Sequence, residues 1–211
     1  LGFGSYLIAA SVAVTLWTGL GPGPLDVFIG AMRNLTGLPL SVAVWLTVGA
    51  LIAVAWALGR RPGFGTFLSP FLIGPMLQAV VEALDGFEAP QSLVVRVGLQ
   101  LVAIFGIGTG AGALIVSGLG AGSGELFAGA TSDRVGHPES KVRPVIELSW
   151  VVIGVALGGP AGLGTMMVAV LIGPAVARGY RVVDAVVARS HRRVATTHRA
   201  IVAREHASAV R

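Results

Sequence analysis

The sequence predicts an all-α polytopic membrane protein with six transmembrane helices, arranged as two inverted three-helix repeats that each carry a short re-entrant or interfacial helix. Two observations predict this class. The chain of 211 residues has a mean hydropathy of +0.82 and only 12% charged residues, whereas ordinary soluble domains carry about 25%. The stretch GLGPGPLDVFIGA at residues 19–31 also recurs at residues 118–130 as GLGAGSGELFAGA.

This recurrence covers two ungapped blocks in one register, 99 residues apart. Seven of thirteen positions are identical in the first block, and Asp26 matches Glu125 there. In the second block, residues 59–75 match residues 158–174 at eight of seventeen positions. Two blocks in one register indicate an internal duplication. The predicted organisation is repeat 1 over residues 1–90, repeat 2 over residues 91–180 and a basic tail over residues 181–211.

Each repeat is predicted to contain three spans, with a short helix between the first and the second. The first spans are residues 2–18 and 93–117, the short helices 24–34 and 123–133, the second spans 38–58 and 142–157, and the third spans 66–84 and 165–179. The short helices are too short to cross a hydrocarbon core of about 30 Å at about 1.5 Å per residue. Because three is an odd number of crossings, the repeats must have opposite orientations.

The distribution of basic residues predicts the topology. Basic residues follow the second and the fourth of the six spans and fill the tail, and a six-span arrangement places all of them on one side. They are Arg60, Arg61, Arg134, Lys141, Arg143 and the seven arginines of the tail. By the positive-inside rule, both termini are cytoplasmic. We expect the bacterial plasma membrane as the location.

Carboxylates stand at the start of both short helices. Pro24 suits a first helical turn, and Asp26 follows where the helix dipole favours negative charge; Glu125 is its counterpart. One interpretation is a structural charge at the headgroup level. The other is a symmetric acid pair at two half-helices that binds a proton, another ion or a cationic solute. Whether the two acids share one site or mark opposite membrane surfaces is left open by the sequence.

Glycines and prolines of the repeated blocks are candidate backbone and hinge positions. They serve either tight turns and close helix packing or a substrate path lined by exposed backbone groups. The LIGP prolines are either packing kinks or hinges of discontinuous third spans. These candidates are Gly21, Gly23, Pro24, Gly65, Thr66, Gly74, Pro75, Gly120, Gly122, Gly164, Thr165, Gly173 and Pro174.

Two polar pairs in repeat 2 are spaced four residues apart and so share a helix face. Arg143 and Glu147 form either a structural ion pair at the interface or an ion pair beside a substrate pathway. Arg96 and Gln100 lie near the outer end of a span, where we expect a surface pairing.

The tail carries three histidines besides its seven arginines. This composition predicts a basic cytoplasmic helix on anionic lipid, with a docking arm for a partner protein as the alternative. The chain has no cysteine, and it has no metal-ligand cluster, phosphate loop or nucleophile motif. We therefore expect no enzyme activity, no metal or other cofactor, and no nucleic-acid partner. Small-residue faces on the first spans permit a homodimer or packing within one chain.

The motifs together resemble the YczE/YitT-type bacterial integral membrane proteins, above all YczE-like members from high-GC bacteria. The resemblance rests on GPGPLD at residues 21–26, GFGT at 63–66, RPVIE at 143–147, LGGPAGLGT at 157–165 and GP at 173–174. The second copy of the first motif, GAGSGE at residues 120–125, departs from the family's GAGPxD. The resemblance implies the fold and the location of a site. Some members are described as transporters, but it carries no agreed activity to this chain.

Two functions from different classes remain open. The first is a small-solute or ion transporter or channel whose acid pair binds a proton or cation. The second is a non-transporting scaffold or assembly subunit that recruits a partner through the basic tail. A substrate-capture subunit of an energised importer ranks lower, because that class does not usually show so clear an inverted repeat.

Overall fold

The computed structural model describes the backbone of residues 1–120 and 122–209, and the side chains of that part as far as residue 189. These residues form eight helices and no strand. The helices are α1 (Gly2–Trp17), α2 (Pro24–Thr36), α3 (Leu40–Ala57), α4 (Phe64–Leu84), α5 (Leu93–Val116), α6 (Ser123–Val135), α7 (Glu139–Ala156) and α8 (Leu163–Ala209). The predicted all-helical class is confirmed.

Four of these helices are long and apolar enough to cross a membrane, within the part of the chain that the structure describes. They are α3, α4, α5 and the segment Leu163–Arg189 of α8. Helix α1 is apolar but has only 16 residues. Helix α7 has 18 residues and carries four charged side chains, Glu139, Lys141, Arg143 and Glu147.

The bounds of the helices differ from the predicted ones at a few ends. Both short helices run two residues further than predicted and stop at Gly37 and Gly136, whose φ angles of 68° and 72° end a helix in the left-handed region. Helix α7 starts three residues early because Pro138 caps it and Glu139 suits its first turn. Helix α8 continues from the predicted third span into the tail without a break.

The helix bounds repeat at the spacing of 99 residues that the sequence predicted. Helices α2 and α3 coincide with α6 and α7 at both ends under this shift, and α4 and α8 share their start. The eight described glycines with positive φ also form four pairs at this spacing, Gly19 with Gly118, Gly21 with Gly120, Gly37 with Gly136 and Gly59 with Gly158.

Helices α1 and α5, which are equivalent under this shift, pack directly against each other in opposite directions. Gly4 faces Gly110, Ser11 contacts Gly106, and the Thr18 hydroxyl donates a hydrogen bond to the side-chain oxygen of Gln100 at 2.9 Å. Successive residues along α1 contact residues of α5 with falling residue numbers, so the two helices are antiparallel. The small-residue faces are therefore used within the chain, as close helix packing requires.

Helix α8 packs parallel to α5 and closes the core of repeat 2. Gly108 lies against Ala175, and Gly112 lies against Tyr180, so the numbers rise together along both helices. The buried apolar residues at this contact are Ile104, Ala111, Val168, Ile172, Ala175 and Val176. In repeat 1, α1 packs against α4 through the cluster that contains Ala9, Val12, Ala13 and Leu77.

The two repeats exchange one backbone hydrogen bond in each direction. The Gly164 amide donates to the Leu20 carbonyl at 2.6 Å, and the equivalent Gly65 amide donates to the Leu119 carbonyl, also at 2.6 Å. Each of these carbonyls belongs to a glycine-rich loop, which we name glycine loop 1 (residues 19–23) and glycine loop 2 (the described residues 118–120 and 122). Each glycine loop thus lies against the start of the third helix of the other repeat.

Candidate functional site

A central cavity of about 210 Å³ lies between the starts of the two short helices. Asp26 of α2 and Glu125 of α6 both line this cavity, together with Arg143 and Glu147 of α7. The cavity therefore answers the question that the sequence left open, because the two acids face one common space. The apolar wall includes Ile8, Val12, Val44, Val48, Ile73, Ile107, Leu114, Val168, Ile172 and Val176.

The two acids occupy the same position in their helices. Gly23 precedes α2 and Gly122 precedes α6, so each acid is the third helical residue. Both carboxylates fold back towards the glycine before their own helix, as in a capping box. The positive ends of two helix dipoles thus point at the cavity, each with a carboxylate beside it.

Asp26 is partly buried and lines the central cavity as well as a smaller neighbouring one. Its burial and, to a smaller extent, the neighbouring Glu147 carboxylate raise the pKa of the Asp26 carboxyl from 3.8 to about 7, while the backbone hydrogen bond from Gly23 opposes the rise. Asp26 therefore changes its charge near neutral pH.

Arg143 lies between two carboxylates of the cavity. Its Nη2 atom is 3.2 Å from Oε1 of Glu125, and its Nε atom is 3.6 Å from Oε1 of Glu147. All three side chains are about four-fifths buried. The Nε atom is buried and makes no hydrogen bond among the described residues. Because Asp26 adds a third carboxyl to the cavity, a single guanidinium faces three acids.

Glycine loop 1 has side-chain supports that the sequence analysis missed. The expected surface pairing of Arg96 and Gln100 is wrong, because Gln100 is fully buried. Its side-chain amide donates to the Gly21 carbonyl at 3.2 Å and its oxygen accepts from Thr18. Arg96 Nε donates to the Thr18 carbonyl at 2.5 Å. The sequence did contain a signal for this burial, namely a glutamine inside an apolar run. A buried side-chain amide requires hydrogen-bond partners, so such a glutamine indicates a polar contact inside the protein.

The predicted backbone positions divide into two groups. The first group forms the contacts between a glycine loop and the other repeat, where neighbouring atoms leave no room for a Cβ atom. A Cβ atom at Gly21 would lie 2.6 Å from the Thr165 hydroxyl, and one at Gly120 would lie 2.6 Å from the Thr66 hydroxyl. Gly65 and Gly164 make the exchanged hydrogen bonds. The second group, Gly23, Pro24 and Gly122, lines the central cavity.

The predicted LIGP hinges lie within continuous helices. Helix α4 runs through Pro70 and Pro75, and α8 runs through Pro174. Neither third helix is discontinuous, because each keeps its helical backbone on both sides of its prolines. Gly74 packs against Trp45, whereas Gly173 and Pro174 line a second cavity.

Two further cavities adjoin the central one. The α7–α8 cleft, about 360 Å³, shares Arg143 and Glu147 with it and extends to Glu139. A smaller cavity of about 110 Å³ shares Asp26 and extends to Arg33 at the other end of α2.

The described residues contain no group of three or more His, Asp or Glu side chains arranged to hold a metal ion. The tail prediction falls largely outside the described side chains, which end at residue 189. Its contact with anionic lipid stays a prediction.

Comparison with known proteins identifies the class of the chain. Residues 1–180 match the family of unknown function DUF6198. The chain is 29% identical over 174 residues to the uncharacterized membrane protein YczE of Bacillus subtilis (strain 168), and the match covers 81% of this chain and 79% of that protein. No solved structure matches the chain.

Proposed function

The chain belongs to the family DUF6198 and is a YczE-like membrane protein, and from this premise we propose that it is a small-solute or ion transporter or channel that binds a proton or a cation in the central cavity. One observation carries the proposal. Asp26 and Glu125, which occupy equivalent positions in the two repeats, line a single cavity. Intramembrane acids that face a cavity are a feature of ion and proton pathways.

The antiparallel packing of α1 and α5 supports inverted repeats. Two equivalent helices that pack antiparallel are related by a two-fold axis perpendicular to both. If these helices cross the bilayer, this axis lies in the plane of the membrane, which is the relation found in many secondary transporters. On this proposal α1, α3 and α4 cross in repeat 1, and α5, α7 and the first part of α8 cross in repeat 2.

The short helices then act as re-entrant half-helices. Each starts at the central cavity, with Asp26 or Glu125 in its first turn, and ends at a glycine outside the apolar spans. Helix α2 has 13 residues and spans about 20 Å at ~1.5 Å per residue, which is enough to run from the interior to one surface. The irregular glycine loops are tolerated at this depth because they are packed against protein.

The balance of charge favours a cation over an anion. Three carboxyls face the cavity against one guanidinium, and Arg143 already contacts two of these carboxylates. The excess of carboxyls over guanidinium favours the binding of a proton on Asp26 and of a cation beside Glu125 or Glu147. Backbone dipoles at both helix starts oppose an excess of positive charge, which limits how much positive charge the site can hold.

The basic residues support a cytoplasmic side in the bacterial plasma membrane, with both termini there. Arg60 at the end of α3 makes a 2.8 Å ion pair with Asp133 at the end of α6, so these two ends lie on the same side. The basic residues after α3 and those near the end of α6 therefore lie on the same side, as the positive-inside rule requires.

Flux measurements on the full chain in proteoliposomes test the proposal, with protons and methylammonium as the probes. Asp26→Asn and Glu125→Gln should each lower flux by about tenfold or more. Asp85→Asn and Glu88→Gln change matched acids on the exposed surface and should leave flux unchanged. Unchanged flux in the first two variants, after inserted protein is equalised, shows that these acids are not the site. Absence of flux in every variant, with a stoichiometric partner lost on deleting residues 181–211, favours the scaffold instead.

A further inference from the structure

The two repeats differ at one place that the duplication makes directly comparable. The α7–α8 cleft has a volume of about 360 Å³, and the equivalent α3–α4 cleft has about 170 Å³. The larger cleft shares Arg143 and Glu147 with the central cavity. The smaller cleft is lined by Trp45, Gly49, Ile52, Phe67, Pro70 and Phe71, without a charged side chain.

A tryptophan narrows the cleft of repeat 1. The Trp45 indole donates a hydrogen bond to the Pro70 carbonyl at 3.1 Å, and its ring lies 5.5 Å from that of Phe71. Gly74 provides the room for this indole, since a Cβ atom there would lie 2.9 Å from Trp45 Nε1. The aromatic pair and its hydrogen bond thus fill part of the space between α3 and α4.

Repeat 2 lacks both aromatic residues of this contact. At the spacing of 99 residues, Pro144 occupies the position equivalent to Trp45, and Val170 occupies the position equivalent to Phe71. Gly173 stands for Gly74, and a Cβ atom added there would meet no other atom within 4 Å. The space that the indole fills in repeat 1 is open in repeat 2.

The cleft connects the outer face of the helices with the charged end of the central cavity. Val170 lines it and is 68% exposed on α8, which places the opening on the outer surface of the helices. Glu139 and Ser140 lie at one end of it. Arg143 and Glu147 form its inner end, where the Arg143 Nε atom has no hydrogen-bond partner among the described residues.

We propose that the α7–α8 cleft is a lateral opening through which an amphipathic ammonium compound, an apolar body with a protonated amine, passes from the bilayer to the central cavity. This inference rests on the proposed function. Apolar walls suit the hydrocarbon part, because its burial is favourable at about 25 cal/mol per Å². The carboxylates beyond the cleft outnumber the one guanidinium, so the amine is attracted and a carboxylate headgroup is repelled.

The chain contains no cysteine, so a single Ser140→Cys substitution places a bimane fluorophore at the mouth of the cleft. The full chain is studied in lipid nanodiscs, with n-octylammonium as the probe and octanoate and octanol for comparison. Octylammonium should change the emission saturably, and octanoate should not compete with it. Pro144→Trp, which introduces the residue that narrows the cleft of repeat 1, should weaken the apparent affinity by about tenfold or more.

Three further variants complete this experiment. Gly173→Leu fills the cleft independently and should act like Pro144→Trp. Pro144→Ala removes the proline without filling the cleft and should weaken the affinity far less than Pro144→Trp does. Gly49→Leu fills the equivalent cleft of repeat 1, where a Cβ atom meets nothing within 4 Å, and should leave the affinity unchanged. Thermal unfolding of each variant identifies loss of folding, and the two filling variants make the result independent of either one.

Methylammonium flux separates the two proposals. An octylammonium affinity that is insensitive to both filling variants, or equal competition by octanoate, overturns the lateral opening even when methylammonium flux depends on Asp26. Octylammonium binding that both filling variants weaken, with no methylammonium flux in any protein, supports the cleft and contradicts the transport function.

Discussion

The amide of Gly164 donates a 2.6 Å hydrogen bond to the carbonyl of Leu20, and this contact joins the start of α8 to glycine loop 1. Its counterpart between Gly65 and Leu119 has the same length. The two contacts hold the loops from which the short helices start, so they position Asp26 and Glu125 at the central cavity. Their integrity is therefore a condition for the site.

Gly164→Ala should destabilise the protein. A Cβ atom at this position would lie 2.6 Å from the Gly21 carbonyl oxygen and 2.8 Å from the Gln100 amide. Overpacking of this kind costs about 1–3 kcal/mol, and thermal unfolding in detergent should show a lower melting temperature. Gly173→Ala is the matched control on the same helix, because its Cβ atom enters open space. Equal melting temperatures for the two variants would show that the contact contributes little.

The spacing of 99 residues between the motifs reappears in the helix ends and in the glycines with positive φ, because both features depend on local chemistry. Gly37 and Gly136 end their helices at the same spacing at which the motifs recur. The sequence did not predict that Asp26 and Glu125 line one cavity, because this depends on how far each short helix extends into the interior. It also placed Gln100 on the surface, since four-residue spacing does not reveal which helix covers the shared face.

The difference between the α3–α4 cleft and the α7–α8 cleft could be predicted from the sequence only in part. The exchange of Trp45 for Pro144 is visible once the repeats are aligned. Its effect on the space between α7 and α8 requires the packing of Gly74 and Gly173, which the sequence shows as identical residues. The glycines at positions 74 and 173 are thus identical in sequence but have different surroundings in the two repeats.

Arg143→Gln should destabilise the protein and be rescued in part by a second change. The substitution leaves Glu125 and Glu147 without the guanidinium that lies 3.2 Å and 3.6 Å from them. Loss of one partner from a buried ion pair costs about 3–5 kcal/mol. Adding Glu147→Gln removes one of the uncompensated charges and should recover part of the stability. A double-mutant cycle from urea unfolding measures this coupling, and strictly additive effects would contradict it.

Asp26→Asn should change how stability depends on pH. The pKa of Asp26 is raised in the folded protein, so the folded state holds its proton at pH values where the unfolded chain has released it. Asp26 therefore costs no stability below its unfolded pKa of 3.8 and an increasing amount as pH rises to about 7. The asparagine variant lacks this cost. Glu147 and Arg33 adjoin Asp26 and remain in both proteins.

The measurement for Asp26 is the difference in melting temperature between variant and parent. The variant should be the more stable protein near pH 8, and the difference should shrink towards zero near pH 4. Asp85→Asn, an exposed acid at the end of α4, should show no such trend. A difference that grows as pH falls would have the wrong sign for a raised pKa.

Single cysteines test the inverted topology. Arg61→Cys and Gly86→Cys place exposed thiols in the turns before and after α4. With cytoplasmic termini, a membrane-impermeant maleimide should label position 86 in intact cells and position 61 only after permeabilisation. His137→Cys, between α6 and α7, should follow position 61, since Arg60 pairs with Asp133 on that side. Labelling of positions 61 and 137 from opposite sides would contradict the proposed arrangement of repeats.

Gln100→Leu should weaken glycine loop 1 while it preserves the size of the side chain. The buried amide donates to the Gly21 carbonyl and its oxygen accepts from Thr18, and leaving such buried groups unsatisfied costs about 1–3 kcal/mol each. Gln78→Leu is the control, since Gln78 pairs with Glu82 on the exposed surface of α4. Gln100→Leu should lower both the melting temperature and the methylammonium flux, because a displaced glycine loop 1 shifts Asp26 at the cavity.

Gln100→Glu should restore neither the melting temperature nor the flux. Its carboxylate can accept the hydrogen bond from Thr18, but it is repelled by the Gly21 carbonyl. A Gln100→Leu protein with the parent's flux and stability would show that Arg96, bonded to the Thr18 carbonyl, holds the loop alone.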